Sequence, residues 1–188
     1  MYRKFRFSLA AALLAAPAAA QAPDPARIAA QQQAMAPLAR FDGVWRGPAW
    51  TQLPGGRHEV TQTERIGPFL GGSVKVIEGR GYNEDGTVGF NAFGIISFDP
   101  ATKRYTLHSY ALGHAGDFPL EVTPTGYVWQ VPAGPGAIIR YTATVTGNHW
   151  REVGERVAGS AAPVQIFEMN LTRIGDTQWP AANPVPMR

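Results

Sequence analysis

Apolar and polar residues alternate in short runs from Phe41 onward, and turn-forming residues separate the runs. In residues 136–146, for example, Ile139, Tyr141 and Ala143 share one side, and polar or charged residues occupy the other. A period of two is typical of a strand that buries one face. The pattern predicts ten strands, near residues 42–51, 58–66, 72–82, 89–98, 104–111, 117–122, 126–131, 136–146, 149–157 and 164–174.

The connections between these strands are short and rich in residues that suit tight turns. Residues 83–86 and 147–148 supply Asn and Gly, which tolerate positive φ, and Pro100 presets the turn after Asp99. Ten short strands without intervening helices predict an all-β fold, an antiparallel meander. Closure into a barrel of about 8–10 strands removes the exposed edges of such a meander, and a β-sandwich is the alternative.

One helix is predicted before the first strand, over residues 26–40. This segment is rich in Ala and Gln, and Ala is the strongest helix former. Asp24 suits the N-cap, and Pro25 suits the first helical position. Pro37 is expected to end or kink the helix near Ala36.

The first 20 residues have the three parts of a secretory signal peptide in the usual order. A basic segment is followed by an apolar run over residues 8–16 and by small residues at 18–20. We expect cleavage after Ala20. A membrane anchor is the alternative, but the uncharged stretch is too short, since a spanning helix needs about 20 strongly apolar residues. The protein is therefore expected to be exported, periplasmic or secreted, and free of the membrane after cleavage.

The sequence divides into four parts. The signal peptide occupies residues 1–20, a lead and helix residues 21–40, and a single β-barrel domain residues 41–175. The last part, residues 176–188, contains three prolines and is expected to be a loosely ordered tail.

Cleavage of the signal peptide would change the charge balance. The chain has 17 Lys and Arg against 14 Asp and Glu, but Arg3, Lys4 and Arg6 lie in the signal peptide. The remainder has 14 residues of each sign, and its basic residues are scattered. Binding to nucleic acid or to an anionic membrane depends on clustered Lys and Arg, so neither partner is expected.

Several kinds of chemistry are excluded by composition and spacing. The chain has no cysteine, which excludes thiol catalysis and Cys-ligated zinc. Its four histidines, at 58, 108, 114 and 149, do not have the spacing of a zinc motif. Phosphate-binding loops, Rossmann glycine patterns and nucleophile elbows are also missing from the sequence. No metal and no cofactor is predicted.

Gly43-Val44-Trp45, directly after the predicted helix, resembles the G-x-W motif on the first strand of lipocalins and of the wider calycin group. Arg173, on the last predicted strand, stands where such barrels carry an arginine that stacks across that tryptophan. The first and last strands are neighbours in a closed barrel, and a guanidinium over an indole is a favourable contact. The resemblance therefore implies a structural role for Gly43, Trp45 and Arg173 at the end that the helix closes.

The wider pattern resembles an uncharacterised family of exported bacterial calycin-like proteins. This resemblance spans residues 41–174 and rests on short stretches at 43–47, 79–81, 94–100 with Tyr105, 150–152 and 167–173. Residues 45–47 are also similar to nitrobindin-type haem barrels. Those barrels need a haem-ligating histidine on a late strand, and no histidine follows His149.

Titratable residues on the predicted strands are the candidates for catalysis. Glu152 and Glu168 lie on neighbouring strands, and two close carboxyl groups can separate their pKa values for acid–base chemistry. His108 could join them if its face of the strand lines the interior. Ion pairing with Arg140 and Arg156 on an outer face is the interpretation we favour for the glutamates, and a satisfied or solvent-facing histidine is the more frequent role for His108.

Aromatic residues give the best functional indication. They are spread over strands that would surround one cavity, and ligand pockets are largely apolar with a few polar groups. Aromatic residues also fill ordinary β-sheet cores, so a filled barrel is equally consistent with them. The predicted ligand-binding residues are Trp50, His108, Tyr110, Trp129, Tyr141 and Trp150.

Three functions remain open. We favour an exported calycin-like barrel that binds a small apolar or amphipathic ligand in its lumen. A hydrolase or isomerase that uses lumen carboxylates or His108 is less favoured, because no catalytic motif is present. The third is a filled barrel that serves as a structural or interaction module.

Overall fold

Ten antiparallel strands close into one barrel in the computed structural model, which describes residues 22–179. Each strand pairs with the next along the chain, and β1 pairs with β10 to close the barrel. The predicted all-β closed meander is confirmed, and the sandwich is excluded. The strands are β1 (Gly43–Leu53), β2 (Gly56–Phe69), β3 (Val74–Tyr82), β4 (Val88–Asp99), β5 (Arg104–Ala111), β6 (His114–Val122), β7 (Gly126–Pro132), β8 (Ala137–Thr146), β9 (His149–Ala158) and β10 (Val164–Gly175).

The predicted helix is present, but it is shorter and is followed by a tighter turn. Helix α1 covers Pro25–Met35, and a 3₁₀ helix covers Ala36–Phe41. Asp24 caps α1 by accepting a hydrogen bond from the Arg27 backbone N–H at 2.9 Å. The change of helix type at Pro37 is the predicted break. No helix within residues 22–179 is long and apolar enough to cross a membrane.

The helical segment covers one end of the barrel, which we call the lower end; the opposite end is the mouth. Its apolar side chains Met35, Leu38 and Phe41 are buried against the barrel core. The Tyr105 hydroxyl donates to the Ala34 carbonyl at 2.8 Å, and a buried Lys75 on β3 pairs with Asp42 at 2.6 Å. These bonds fix the helices to the strands they cover.

Trp45 and Arg173 are register partners where β1 meets β10, as the resemblance implies, but they do not stack. Trp45 is fully buried and donates its indole N–H to the Phe41 carbonyl at 2.8 Å. The Arg173 guanidinium bonds to the Asp42 carbonyl and Asp176 instead. A Cβ on Gly43 would lie 2.6 Å from Arg173 Nε, so the guanidinium packs over Gly43 rather than over the indole.

The start of the predicted tail is packed, which differs from the expectation of a loose segment. The Thr177 hydroxyl donates to the Ile66 carbonyl at 2.6 Å. The ring of Trp179 lies beneath the Arg65 guanidinium at 3.9 Å and beside Phe69. Thr177 and Trp179 therefore pack against β2. Residues 180–188 and the predicted signal peptide lie outside the described residues.

Candidate functional site

The barrel holds a cavity of about 500 Å³ between its lower end and its mouth. Below the cavity, Trp150 makes edge contacts with Phe41 and Trp45, at ring-centroid distances of 5.0 and 5.8 Å. Tyr127 lies 4.8 Å from Phe41 in the same layer. These four rings fill the lower end and form the floor of the cavity. The barrel is therefore filled only in part.

One wall of the cavity is aromatic. Trp129 on β7 and Tyr141 on β8 stack at 4.4 Å with an interplanar angle of 14°, and Phe167 on β10 meets Tyr141 edge-on. Gly154 on β9 makes this possible, because a Cβ there would lie 2.7 Å from the Tyr141 ring.

The mouth is apolar. Leu53, beside the β1–β2 turn, and Leu112, in the β5–β6 turn, line the cavity and are 47% and 65% exposed. A molecule that enters from solvent therefore meets apolar side chains first.

Three buried polar side chains face the cavity near its floor. On β2, Gln62 donates from Nε2 to Glu64 Oε1 at 2.6 Å. On β9, Glu152 is 5% exposed and accepts from the Trp129 indole N–H at 3.0 Å. Each carboxyl group uses one oxygen in these bonds. Within residues 22–179, the second oxygen of each carboxyl has no hydrogen-bond partner.

Two glycines on β3 make room for the polar pair on β2. Glu64 is the register partner of Gly79, and Gln62 is the partner of Gly81. A Cβ on Gly79 would lie 2.6 and 2.9 Å from the two carboxylate oxygens of Glu64, and one on Gly81 would lie 3.1 Å from Gln62 Oε1. The Glu64 carboxyl group occupies the space that a side chain at position 79 would take, so a larger residue there would displace it.

Burial sets the ionisation of both carboxyl groups. Loss of solvent raises the pKa of Glu64 to about 8, while the hydrogen bond from Gln62 opposes the rise and the charge of Glu152 adds to it. Loss of solvent likewise raises the pKa of Glu152 to about 7, and the neighbouring Trp129 and Trp150 indoles oppose the rise. Both groups therefore change charge near neutral pH.

Trp150 leaves a polar atom unused. Its side chain is 2% exposed and lines the cavity, yet its indole N–H has no hydrogen-bond partner among the described residues. The N–H lies near enough to Glu152 to favour the charged carboxylate. The acceptor that this N–H faces is the Glu152 carboxyl group, which therefore has a second indole donor beside it.

Half of the residues predicted to be catalytic or ligand-binding face the lumen. Trp129, Tyr141, Trp150 and Glu152 line the cavity, and the structure brings them together along β7, β8 and β9. Glu64 joins this group from β2.

The other predicted site residues lie on the outer face, which corrects the lumen position expected for Trp50 and Tyr110 and agrees with the interpretations favoured for Glu168 and His108. Trp50 packs beneath Arg57 on the outside, and Tyr110 is 55% exposed. His108 bonds to Asp117 and Ser97, and Glu168 bonds to Arg151, Gln165 and Asn170.

These placements follow from the alternation of side chains along a strand, because adjacent residues face opposite sides of the sheet. Met169 faces inward beside Glu152, so the adjacent Glu168 must face outward. The favoured outer ion pairing is present for Glu168 with Arg151, and Glu155 pairs with Arg140 at 2.8 Å. Glu152 is the exception because it lies on the inner face. His108, Glu168 and Glu152 therefore do not converge.

Glu64 and Gln62 were missed by the sequence analysis, although a signal was present. Val60 and Ile66 face the interior on β2, and the positions between them at the same period are Gln62 and Glu64. Once the apolar residues show which face of a strand points inward, polar residues on that face indicate a polar lumen.

The potential metal ligands among the residues that the structure describes are His, Asp and Glu side chains. No group of three His, Asp or Glu able to hold a metal ion occurs within residues 22–179. His58, on β2 toward the mouth, is the one histidine of this part of the chain that lines the cavity.

The fold is similar to that of Rv2717c from M. tuberculosis. Its crystal structure gives a TM-score of 0.56 at 13% sequence identity, over 77% of this chain and 97% of that chain. At this identity the likeness concerns the fold alone. No protein-family profile and no curated protein sequence matches the chain.

Proposed function

We propose that this protein is an exported, calycin-like barrel that binds a small apolar or amphipathic molecule in its lumen. The observation that carries the proposal is the cavity of about 500 Å³, with aromatic and aliphatic walls and three buried polar groups near the floor. Small-molecule sites have this character: a concave apolar pocket of ~300–1,000 Å³ with few, well-placed polar groups.

Two sequence features support the calycin-like and exported parts of the proposal. The G-x-W stretch at 43–45 begins β1 directly after the helical segment, which is the order found in calycins. The signal-peptide pattern of residues 1–20 supports export.

Binding of N-phenyl-1-naphthylamine, an uncharged apolar fluorophore, tests whether the lumen takes ligands. Ala92 on β4 lines the cavity, and Ala115 on β6 is exposed on the outer face. We expect saturable binding to the wild type, and we expect Ala92→Phe to weaken it at least tenfold, because the ring fills the lumen. Ala115→Phe is the matched control and should bind as the wild type does.

Circular dichroism and the unfolding midpoint establish that both variants fold. Equal binding to the two variants would place the fluorophore outside the lumen and overturn the proposal, as would absence of binding to the wild type. Native mass spectrometry of protein purified from its own host identifies any ligand that the lumen retains.

A hydrolase or isomerase is the second candidate, and the buried pair Glu64 and Glu152 favours it. Two carboxyl groups with pKa values near 8 and 7 can hold or release a proton at neutral pH. An enzyme would leave its substrate intact on the Glu152→Gln variant. A molecule that co-purifies with this variant and is altered after wild-type protein is added, as detected by liquid chromatography and mass spectrometry, would establish turnover.

A further inference from the structure

The charges that face the lumen are unbalanced. Glu64 and Glu152 line the cavity, and no Lys or Arg within residues 22–179 does so. The buried Lys75 is already paired with Asp42 below the floor. A buried carboxylate normally has a cationic partner, and here the chain supplies none in the lumen.

The two indole groups beside Glu152 also favour a cation at this place. The buried Trp150 N–H has no partner, and the Trp129 N–H already donates to Glu152. Two indole donors beside one carboxyl group stabilise its charged form, which then attracts a cation. The free oxygens of Glu64 and Glu152 remain available to accept hydrogen bonds from that cation.

The surrounding rings also favour a positive charge. Tyr127, Trp129 and Trp150 line the cavity around Glu152. The negative face of an aromatic ring attracts an ammonium group, most strongly when both are removed from water.

We propose that the lumen ligand is an amphipathic amine, whose ammonium group lies between Glu64 and Glu152 and whose apolar part extends along the aromatic wall toward the mouth. This inference rests on the proposed lumen-binding function and specifies the chemistry of its ligand. An anionic head group is disfavoured because it would face two acids and no lumen Lys or Arg, and a neutral one gains nothing from ionisation of the carboxyl pair.

The pH dependence of binding follows from the groups that face the pair. Tyr127 and Tyr141 face it from β7 and β8, and Glu78 acts on Glu64 from β3. His58 lines the cavity nearer the mouth, and the lining residues from β1, β4, β5 and β10 are uncharged. Burial raises the pKa values of Glu64 and Glu152, so both groups must lose protons to pair with an amine. Amine affinity therefore rises between about pH 6 and pH 8, with proton release.

Isothermal titration calorimetry with n-decylamine, n-decanol and n-decanoate tests the inference, because the three share one chain length and differ in the head group. At pH 8 we expect decylamine to bind at least tenfold more tightly than decanol, and decanoate most weakly. The advantage of decylamine should shrink at pH 6, although the amine is protonated at both pH values. Glu152→Gln should remove most of the advantage, measured as the ratio of decylamine to decanol affinity in the same variant. Glu168→Gln, on the outer face of the barrel, should change neither.

The outcomes separate this inference from the proposed function. If decanoate binds as tightly as decylamine, or if Glu152→Gln keeps the full amine advantage, the amine inference is wrong while lumen binding stands. The amine inference also fails alone if decylamine does not bind a protein that binds N-phenyl-1-naphthylamine. If neither that fluorophore nor any of the three decyl compounds binds, the proposed function fails and the amine inference fails with it.

Discussion

Glu152 lies on the inner face of β9, where its carboxyl group contacts the indole N–H of Trp129 and lies near that of Trp150. Burial destabilises the charged carboxylate by more than the two indole donors stabilise it, so the pKa of Glu152 rises to about 7. In the folded protein Glu152 is therefore most stable as a neutral acid, and ionisation of its carboxyl group costs folding free energy. This is the behaviour expected of a group that ionises when a cationic partner arrives.

Replacement of Glu152 by Gln should change how stability depends on pH. Because the folded-state pKa is raised from 4.5 to about 7, the native protein binds more protons than the unfolded chain between these values. Ionisation therefore lowers the free energy of unfolding as pH rises from about 5 to about 8, by on the order of 3 kcal/mol for this group. The Glu152→Gln variant has no carboxyl group to ionise at this position. Its free energy of unfolding, measured with urea, should therefore increase relative to that of the wild type as pH rises over that range.

Glu168→Gln provides the control, because the sign at Glu168 is opposite. Hydrogen bonds from Asn170 and from Arg151 and Gln165 lower the pKa of Glu168, so its stabilising effect is lost only as pH falls through the acidic range. The difference in stability between this variant and the wild type should stay constant from about pH 5 to pH 8. A similar constant difference for Glu152→Gln would contradict the burial of an ionisable group at Glu152.

At the scale of elements, the inward-facing polar side chains of β2 lie opposite glycines on β3. Gln62 and Glu64 point into the barrel, and their register partners Gly81 and Gly79 have no side chains. Glycine in a strand interior weakens the strand and often marks a close approach of another group. Here the approaching groups are the two polar side chains of the neighbouring strand.

Gly79→Ala should destabilise the barrel by about 1–2 kcal/mol, because the new Cβ would lie 2.6 Å from Glu64 Oε1 and displace the carboxyl group. The same substitution in a Glu64→Ala background should be neutral or stabilising, since alanine restricts the unfolded chain more than glycine does. A double-mutant cycle from urea unfolding measures the coupling between the two positions.

Gly55→Ala is the matched control for this cycle, because Gly55 has open space around its Cα and does not have positive φ. It should have a small effect that does not depend on Glu64. Equal costs of Gly79→Ala with and without the Glu64 carboxyl group would show that the two residues do not compete for space.

The strands and turns of this fold could be predicted from alternation and turn residues. Which face of each strand points into the barrel could not. On β5, Leu107 and Ser109 face inward while His108 and Tyr110 face outward, so both faces carry a mixture of polar and apolar residues. Alternation cannot separate the faces of such a strand, and a shift of one residue exchanges them. On β8, where one face is apolar throughout, the predicted side was correct.

At the scale of the whole molecule, the cavity arises from the pairing of unlike walls. The strands β7, β8 and β10 present large rings to the lumen, whereas β3, β4 and β5 combine larger side chains such as Phe90 and Leu107 with the small residues Gly79, Ala92, Gly94, Ser109 and Ala111. Space remains where small residues face large ones, and the aromatic layer at the lower end closes it below. The sequence contains both sets of residues, but only the barrel closure places them opposite each other.

The proposed export would change the charge of the whole molecule. Residues 1–20 contain three basic and no acidic residues, so their removal leaves a chain with 14 residues of each sign. We expect protein expressed with its leader in a Gram-negative host to be recovered from the periplasm. Its intact mass should correspond to a chain that begins at Gln21, and its isoelectric point should lie near neutrality rather than at the 9.4 of the full chain.

Replacement of Ala18 and Ala20 by Arg is the matched variant, since a signal peptidase requires small residues at these positions. This variant should keep its leader and stay basic on isoelectric focusing. Full-length wild-type protein found in the cytoplasm, with a basic isoelectric point, would contradict export. If the leader is removed as proposed, the mature chain would have no net charge with which to attract polyanions, and under the proposed function its selectivity would come from the lumen that Glu64 and Glu152 line.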